Sequence, residues 1–371
     1  LNTIRILTHE FLPKRGGVAI VASEVAAAAS HLGYDVNVYA PFRDESFADS
    51  VSYKITEIPN LGTLGWRCRL KTLKLLRTNY TDWQNSIIHL AEPGPILACM
   101  YAQILGFLPP AKRVILTLHG SEILRFTRFP HRRFLFQKLL TQVDSIHFLS
   151  KACKDLFRAH FSKAENALHV VPGASRSFAP EPTKKNSLNN SSSIVFLTVG
   201  RVHPRKGQLA ALEALAKLPE DTRNSVEYLV AGPVVDTFYQ SKLETFANTH
   251  GLNVKFLGEI PEPKLAALYF SADVFIMTSV QYRNSIEGFG LVYLEAAAHE
   301  LPIIAHKIGG VSEAVREGET AILCSPTNRD ALTTAIWDLI NDSDMRLKMG
   351  RAGSAFAKQF SWHKVASKLY Q

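Results

Sequence analysis

The chain has 371 residues, 46% of them hydrophobic and 20% charged, with a formal net charge of +9 and a pI of about 9.3. The length is more than one hydrophobic core usually serves and implies two domains, and the composition is that of a soluble globular protein. The positive balance favours anionic partners, whether a phosphorylated substrate, a membrane surface or nucleic acid, and does not choose among them.

The cysteines, Cys68, Cys99, Cys153 and Cys324, are scattered and form no metal-ligand spacing. They read as reduced thiols, which together with the lack of a visible signal peptide or spanning segment suggests a cytoplasmic protein. Ile4–Thr8 is a short apolar run with the look of a buried strand, and Gly16-Gly17-Val18 leads into an alanine-rich helix over Ile20–Leu32 that Gly33 ends. Val36–Tyr39 follows as a strand, giving strand, glycine turn, helix and strand, the start of an open parallel sheet. The glycine pair suits close backbone approach to a ligand, and it equally suits a plain tight turn.

Ile55–Pro59, Ser86–His89 and Val114–Leu118 are the next strands. Between them, Trp66–Tyr80 has apolar residues at helical spacing and Arg67, Arg69, Lys71, Lys74 and Arg77 on much of the remaining surface. Such a helix can lie on an anionic membrane or simply cover a sheet. Val114–Leu118 delivers the chain to His119, at a strand end where ligands bind in parallel sheets and where a histidine can donate to a sugar hydroxyl or a developing negative charge. A basic and aromatic stretch, Arg125–Lys138, fits a phosphorylated acceptor, lipid headgroups, single-stranded nucleic acid or a solvated helix face. No recognisable nucleic-acid module surrounds it, and no nucleic-acid partner is expected. Ser145–Leu149 and His169–Val171 are strands, with a helix over Lys151–His160 between them.

Residues 173–193 read as a linker, with PEPTKKNSLNNSSS at 180–193 polar and poor in large apolar groups. This divides the chain into domains at 1–172 and 194–350, with a helical tail at 351–371. The second domain opens with the strand Ile194–Val199, which ends in Gly200-Arg201-Val202-His203-Pro204-Arg205-Lys206-Gly207 ahead of a helix over Gln208–Leu218. Arg201 and Lys206 are candidates for holding phosphate oxygens, and cations opposite a leaving diphosphate lower the barrier to its departure. Strands at Val226–Val230, Val254–Leu257, Asp273–Met277, Pro302–His306 and Ala321–Cys324 continue the series, with helices between and after them.

The sharpest signal is Ser285–Ala298, SIEGFGLVYLEAAA. Glu287 precedes a Gly288-Phe289-Gly290 turn, and Glu295 lies in the apolar helix that follows. Free N–H groups at that helix start, through Leu291, form an anion site. A charge at Glu295 must be paired or bonded to a ligand. A ligand with hydroxyls at both ends and phosphate in the middle, such as a nucleotide sugar, fits two carboxylates bracketing an anion site.

With these motifs together, the chain resembles the retaining GT-B glycosyltransferases of family four, which include sucrose synthase and bacterial mannosyl- and glucosyltransferases of lipid and capsule assembly. The resemblance rests on Glu287 and Glu295 around Gly288-Phe289-Gly290, on Gly200-Arg201 with Lys206-Gly207, on Gly16-Gly17-Val18 and on His119. Pro172-Gly173-Ala174 departs from the family's usual Asn-Gly, and Ser279–Ser285 lacks its common Pro-Ser. The resemblance implies two Rossmann-like α/β domains facing across a deep cleft. It implies that Gly16 and Gly17 lie beside the donor phosphates, and that His119 contacts the sugar near its 6-hydroxyl. Arg201 and Lys206 would neutralise the diphosphate, and Glu287 would bind the 3-hydroxyl region. The amides of Gly288, Phe289, Gly290 and Leu291 would hold sugar and phosphate, Glu295 the ribose hydroxyls. The last helix would return to the N-terminal domain.

The expected activity is transfer of a hexosyl group from a UDP- or GDP-sugar to a hydroxyl of a polysaccharide or lipid-linked acceptor, with retention, no cofactor and no metal. His119, Arg201, Lys206 and Glu287 are the expected catalytic set. The expected location is the cytoplasm, with peripheral contact to an anionic membrane. The alternatives are a synthase acting on a small soluble acceptor and a non-catalytic nucleotide-sugar binder.

Overall fold

The computed structural model describes residues 3–12, 16–41, 50–58, 65–78, 80–176 and 193–371. Two compact units emerge: Leu1–Gly173 with Ser361–Gln371, and Ala174–Phe360.

The first unit is built on a seven-stranded sheet of β1 (Thr3–Leu7), β2 (Asp35–Ala40), β3 (Lys54–Glu57), β4 (Ser86–Leu90), β5 (Arg113–Leu118), β6 (Ser145–Phe148) and β7 (Leu168–Val170). The order is β3-β2-β1-β4-β5-β6-β7 and every pair is parallel. Strands such as Ser86–Leu90 are buried along their whole length because helices cover both faces of a parallel sheet. The second unit has β8 (Ile194–Val199), β9 (Val226–Ala231), β10 (Val254–Gly258), β11 (Val274–Met277), β12 (Ile303–His306) and β13 (Ala321–Cys324). Its order, β10-β9-β8-β11-β12-β13, repeats the doubly wound pattern, with the change of direction beside β8 and β11.

The strands fall where their apolar runs predict, to within a residue or two. One helix of the first unit is not legible in advance. Pro93–Ala102 is PGPILACMYA, buried nearly all round, so it has no polar face and no helical period to detect. It starts because Pro93 takes the first turn and the Glu92 side chain accepts from the Gly94 N–H at 2.9 Å. Trp66–Tyr80 is two helices rather than one, Trp66–Thr78 and Tyr80–Gln84. The polar linker at 180–193 lies outside the described residues, save Ser193.

The tail read at 351–371 divides differently. Helix Ser343–Ala357 belongs to the second unit and packs along helix Leu291–Ala298, with Gly353 against Ala297. Only Ser361 onward joins the first unit. There helix Trp362–Tyr370 packs on helix Gly17–His31, and the Tyr370 hydroxyl bonds His89 Nδ1 at 2.6 Å. That bond opens a buried row across the sheet: His89 Nε2 to Thr117 Oγ1 at 2.7 Å, Thr117 Oγ1 to His147 Nδ1 at 3.1 Å, and His147 Nε2 to the Val171 carbonyl at 2.8 Å. Burial pulls His89 down to about 3 and His147 to about 4, so both rings are neutral.

No helix among the described residues is long and apolar enough to cross a membrane. All four cysteines are buried, and none is in a disulfide.

Candidate functional site

The residues expected to bind a donor lie in both units, and each unit holds its own cluster. In the second, β8 ends at Val199 and the chain turns through Gly200, Arg201 and a single 3₁₀ turn at Pro204–Lys206 before helix Gln208–Ala216. Gly207 joins the turn to the helix at φ 73, and a Cβ there would sit 1.8 Å from the Thr278 carbonyl oxygen, so no other residue fits. This seats the basic loop against the end of β11, where Ser279 lies, and opposite the loop that carries Glu287.

Glu287 is 7% exposed. Its Oε2 accepts from Lys206 Nζ at 2.8 Å, Arg205 Nη1 at 2.8 Å and Ser279 Oγ at 3.1 Å. Its Oε1 has no donor among the described residues. Burial pushes the Glu287 carboxyl up, but Lys206 and Arg205 outweigh it and hold the group at about 2. Burial pulls the Lys206 ammonium down from its ordinary value, against the pull of Glu287. Arg205 stands inside the basic motif, yet the sequence reading singles out only Arg201 and Lys206. Arg201 is exposed and makes no ion pair among the described residues, so its guanidinium is available to an anion.

Gly290 caps helix Leu291–Ala298 at φ 86, where its absent Cβ leaves room for the Tyr293 ring. No side chain caps this helix; the Tyr293 N–H bonds the Gly290 carbonyl at 3.1 Å, and the N–H groups of Leu291 and Val292 have no partner among the described residues. Phe289 is 2% exposed, so its contribution to any ligand comes from its backbone and not its ring.

Glu295 departs from expectation. It is completely buried, and both oxygens are already engaged. Arg176 forms a fork on them, Nε to Oε1 at 2.7 Å and Nη2 to Oε2 at 2.9 Å, and the Tyr269 hydroxyl donates to Oε2 at 2.8 Å. The compensation that a buried charge demands comes from the protein itself. Arg176 is 119 positions away in sequence, and no local pattern flags it.

In the first unit, Gly16 caps helix Gly17–His31 in extended conformation. A Cβ on Gly17 would meet nothing within 4 Å, and one on Gly16 only ordinary contact, so the chain's own packing requires neither glycine. His119 follows β5, with Nε2 donating to the Ala91 carbonyl at 2.9 Å, which leaves Nδ1 as the ring nitrogen that can meet a ligand. The Glu122 carboxylate accepts from the His119 backbone N–H. Nearby strand ends carry a buried pair the sequence reading passes over. Glu92 accepts from the His9 N–H at 2.9 Å as well as from Gly94, and burial pushes its carboxyl up to about 8 despite those donors. The His9 ring bonds Thr72 at 2.8 Å and Cys68 at 3.2 Å.

Two doubly wound parallel-sheet units, one with a cationic loop gathered on a carboxylate, have the architecture of the GT-B glycosyltransferases. The model of the Glycosyltransferase Family 4 domain matches residues 15–174, and that of Glycosyl transferases group 1 matches residues 180–356. The chain belongs to the GT-B glycosyltransferases of family four.

A GDP-mannose-dependent alpha-(1-6)-phosphatidylinositol monomannoside mannosyltransferase of Mycolicibacterium smegmatis is 28% identical, over 98% of this chain and 96% of its own length. The Mycobacterium tuberculosis enzyme of the same name is 27% identical over 100% and 97%. Among solved structures, sucrose-phosphate synthase from Thermosynechococcus elongatus superposes with a TM-score of 0.81 at 20% identity, covering 99% of this chain and 97% of that one. Anabaena HepE in complex with UDP and glucose gives 0.78 at 20%, covering 99% and 98%.

Proposed function

We propose that the protein transfers a hexosyl group, with mannose from GDP-mannose as the leading donor, to a hydroxyl of a glycolipid precursor, retaining the anomeric configuration. The observation that carries this reading is the three-cation loop at the end of β8, with Arg205 and Lys206 gathered on one oxygen of Glu287 and Arg201 exposed with no ion pair among the described residues. On this reading Arg201 and Lys206 take the diphosphate, and Arg205 holds Glu287 so that Oε1 accepts from a sugar hydroxyl. The amides of residues 288–291 add donors to the sugar and phosphate. The backbone at Gly16 and Gly17 lies beside the phosphates, and His119 contacts the sugar through its free ring nitrogen.

When the bond from the anomeric carbon to phosphate breaks, its electron pair goes to the departing phosphate oxygen, where the cations stabilise it. The acceptor hydroxyl attacks on the same face and its proton passes to that oxygen, so no protein nucleophile is required. Cations do the charge neutralisation, and turnover should persist in a chelator. Ribose binding by Glu295 requires Arg176 to share the carboxylate.

The names of the mycobacterial relatives support GDP-mannose and a phosphatidylinositol mannoside, and the HepE complex with UDP and glucose keeps a UDP-sugar in the comparison. The test is nucleotide release from a panel of GDP- and UDP-sugars, with glycolipid and soluble acceptors and with and without chelator. NMR of the product reads the anomeric centre. Release from GDP-mannose that depends on the glycolipid and gives a retained product is the expected result. Silence across the whole panel would overturn the reading.

A further inference from the structure

The run Ser279–Ser285, between β11 and Glu287, lacks the Pro-Ser common in the family, and beyond Ser279 the transfer reading gives it no role. It folds into a tight hairpin. The Tyr282 N–H donates to the Ser285 carbonyl at 3.2 Å and the Ser285 N–H to the Tyr282 carbonyl at 3.0 Å, with Arg283 and Asn284 at the turn. Arg283 stands at φ 51, a conformation that the first turn position of such hairpins reserves for glycine and that strains an L side chain. Glu300 is the other non-glycine residue with positive φ among the described residues. It lies in the turn that ends helix Leu291–Ala298, where a left-handed residue is ordinary. Arg283 has no such excuse.

Both feet of the hairpin are tied to Arg205. The Arg205 carbonyl accepts from the Val280 N–H at 2.8 Å, and its Nη1 donates to the Ile286 carbonyl at 3.3 Å while it holds Glu287 Oε2 at 2.8 Å. The tip is therefore fixed relative to the carboxylate. The Tyr282 ring meets the His203 ring edge-on at 5.2 Å, and the Arg283 guanidinium lies over the Tyr282 ring at 5.3 Å. A guanidinium braced on a ring face keeps its N–H edge for a two-pronged bond to an oxyanion. Arg283 is exposed and makes no ion pair among the described residues. The other charge within residues 278–290 is Glu287, which Lys206 and Arg205 already neutralise.

We propose that Arg283, braced on Tyr282, binds a phosphate carried by the acceptor and so selects phosphorylated acceptors. The inference rests on the transfer reading for the place of the acceptor. In that reading Glu287 holds the sugar, and the acceptor hydroxyl attacks on the face that the diphosphate leaves. A phosphate on the acceptor then lies beside Glu287 and close to the phosphates of the donor, and like charges at that range repel. Arg201 and Lys206 are taken by the diphosphate, which leaves Arg283 to offset the second anion. An uncharged acceptor needs no such cation, and the strain at Arg283 would then serve no purpose.

The test is calorimetric titration of the full chain with mannosylinositol phosphate, with mannosylinositol and with GDP-mannose, alongside transfer assays on the first two compounds. The wild type should bind the phosphorylated compound more tightly than its phosphate-free counterpart by roughly tenfold or more. Arg283→Gln should erase that preference by weakening the phosphorylated compound alone, and should raise its KM with little change in kcat. Arg283→Lys keeps the charge without the fork and should retain part of the preference. Arg283→Gly relieves the positive φ, so its loss of the preference cannot come from misfolding. No preference in the wild type, a preference that survives Arg283→Gln, or an equal loss of GDP-mannose affinity in that variant would each overturn the proposal and leave the transfer reading standing. A wild type that takes up no GDP-mannose and transfers to neither compound would remove the transfer reading, and the proposal with it.

Discussion

The two units share an architecture and differ in what they do with charge. The first carries 23 Lys and Arg against 13 Asp and Glu, and the second 19 against 20, so the whole excess of the protein sits on the first. In the second unit cations are gathered in a half-buried loop around one carboxylate, where a low dielectric makes each contact strong and salt screens it little. In the first, many lie on the exposed faces of helices Trp66–Thr78 and Pro130–Leu140, which contain no Asp or Glu, and there each acts weakly through water and salt screens it readily. The near-neutral second unit carries the buried cation cluster, while in the strongly basic first unit burial disfavours the charged forms of His89, His147 and Glu92.

The sharpest way to break this comparison is to remove one cation from inside the second unit. Arg176→Met leaves the buried Glu295 carboxyl without its guanidinium partner and should destabilise that unit by roughly 3–5 kcal/mol. Denaturant unfolding with hydrogen exchange resolved by peptide would show whether the loss stays within residues 174–360. Adding Glu295→Met should recover much of it, because removing both charges also removes the cost of burying them.

The next effect concerns turnover. Lys206→Ala or Arg201→Ala should lower kcat/KM by roughly 10²-fold or more, if each supplies about 3 kcal/mol at the transition state. Arg201→Ala should leave the unfolding midpoint unchanged, since Arg201 has no internal ion pair among the described residues. Wild-type rates in either variant would show that the cationic loop is not the diphosphate site.

A smaller effect separates the units by pH. His89 and His147 are held below their unfolded value near 6.5, so the unfolded chain binds protons they refuse. Their contribution is intact above that value and is lost as pH falls from 6.5 towards 4 and 3, by about 2 kcal/mol each at pH 5. Glu92, raised to about 8, runs the other way: its contribution is present at low pH and is lost as pH rises from 4.5 to 8. It offsets part of the acid loss. Glu287, at about 2, is affected only below 4.5. His203 and His306 in the second unit shift in the same direction as His89, by less. Between pH 6.5 and 5 the first unit should therefore weaken more than the second, and His89→Gln should flatten its acid limb. Unfolding midpoints of the two units measured across pH would check this.

Much of this organisation is legible in the residues. Apolar runs of four to six residues fix the strands, and Gly207 and Gly290 mark turns that the structure closes at positive φ. Glu295, inside an apolar helix, reads as a charge that must be paired or bonded to a ligand, and Arg176 pairs it. Arg205 is harder to single out, because a basic loop does not disclose which of its side chains turns inward. Helix Pro93–Ala102 leaves no periodic trace, since a helix buried on all sides needs no polar face.

Local order, the alternation of strand and helix and the total charge follow from the sequence alone, because they depend on neighbours along the chain. The tertiary structure alone decided that Arg176 closes on Glu295, that three donors meet on one oxygen of Glu287, and that Trp66 and Leu70 face out while Tyr370 faces in. The bonded pairs among these lie from 8 to 281 positions apart, most of them more than 80, and only the packing of the sheets and helices brings such groups within bonding distance.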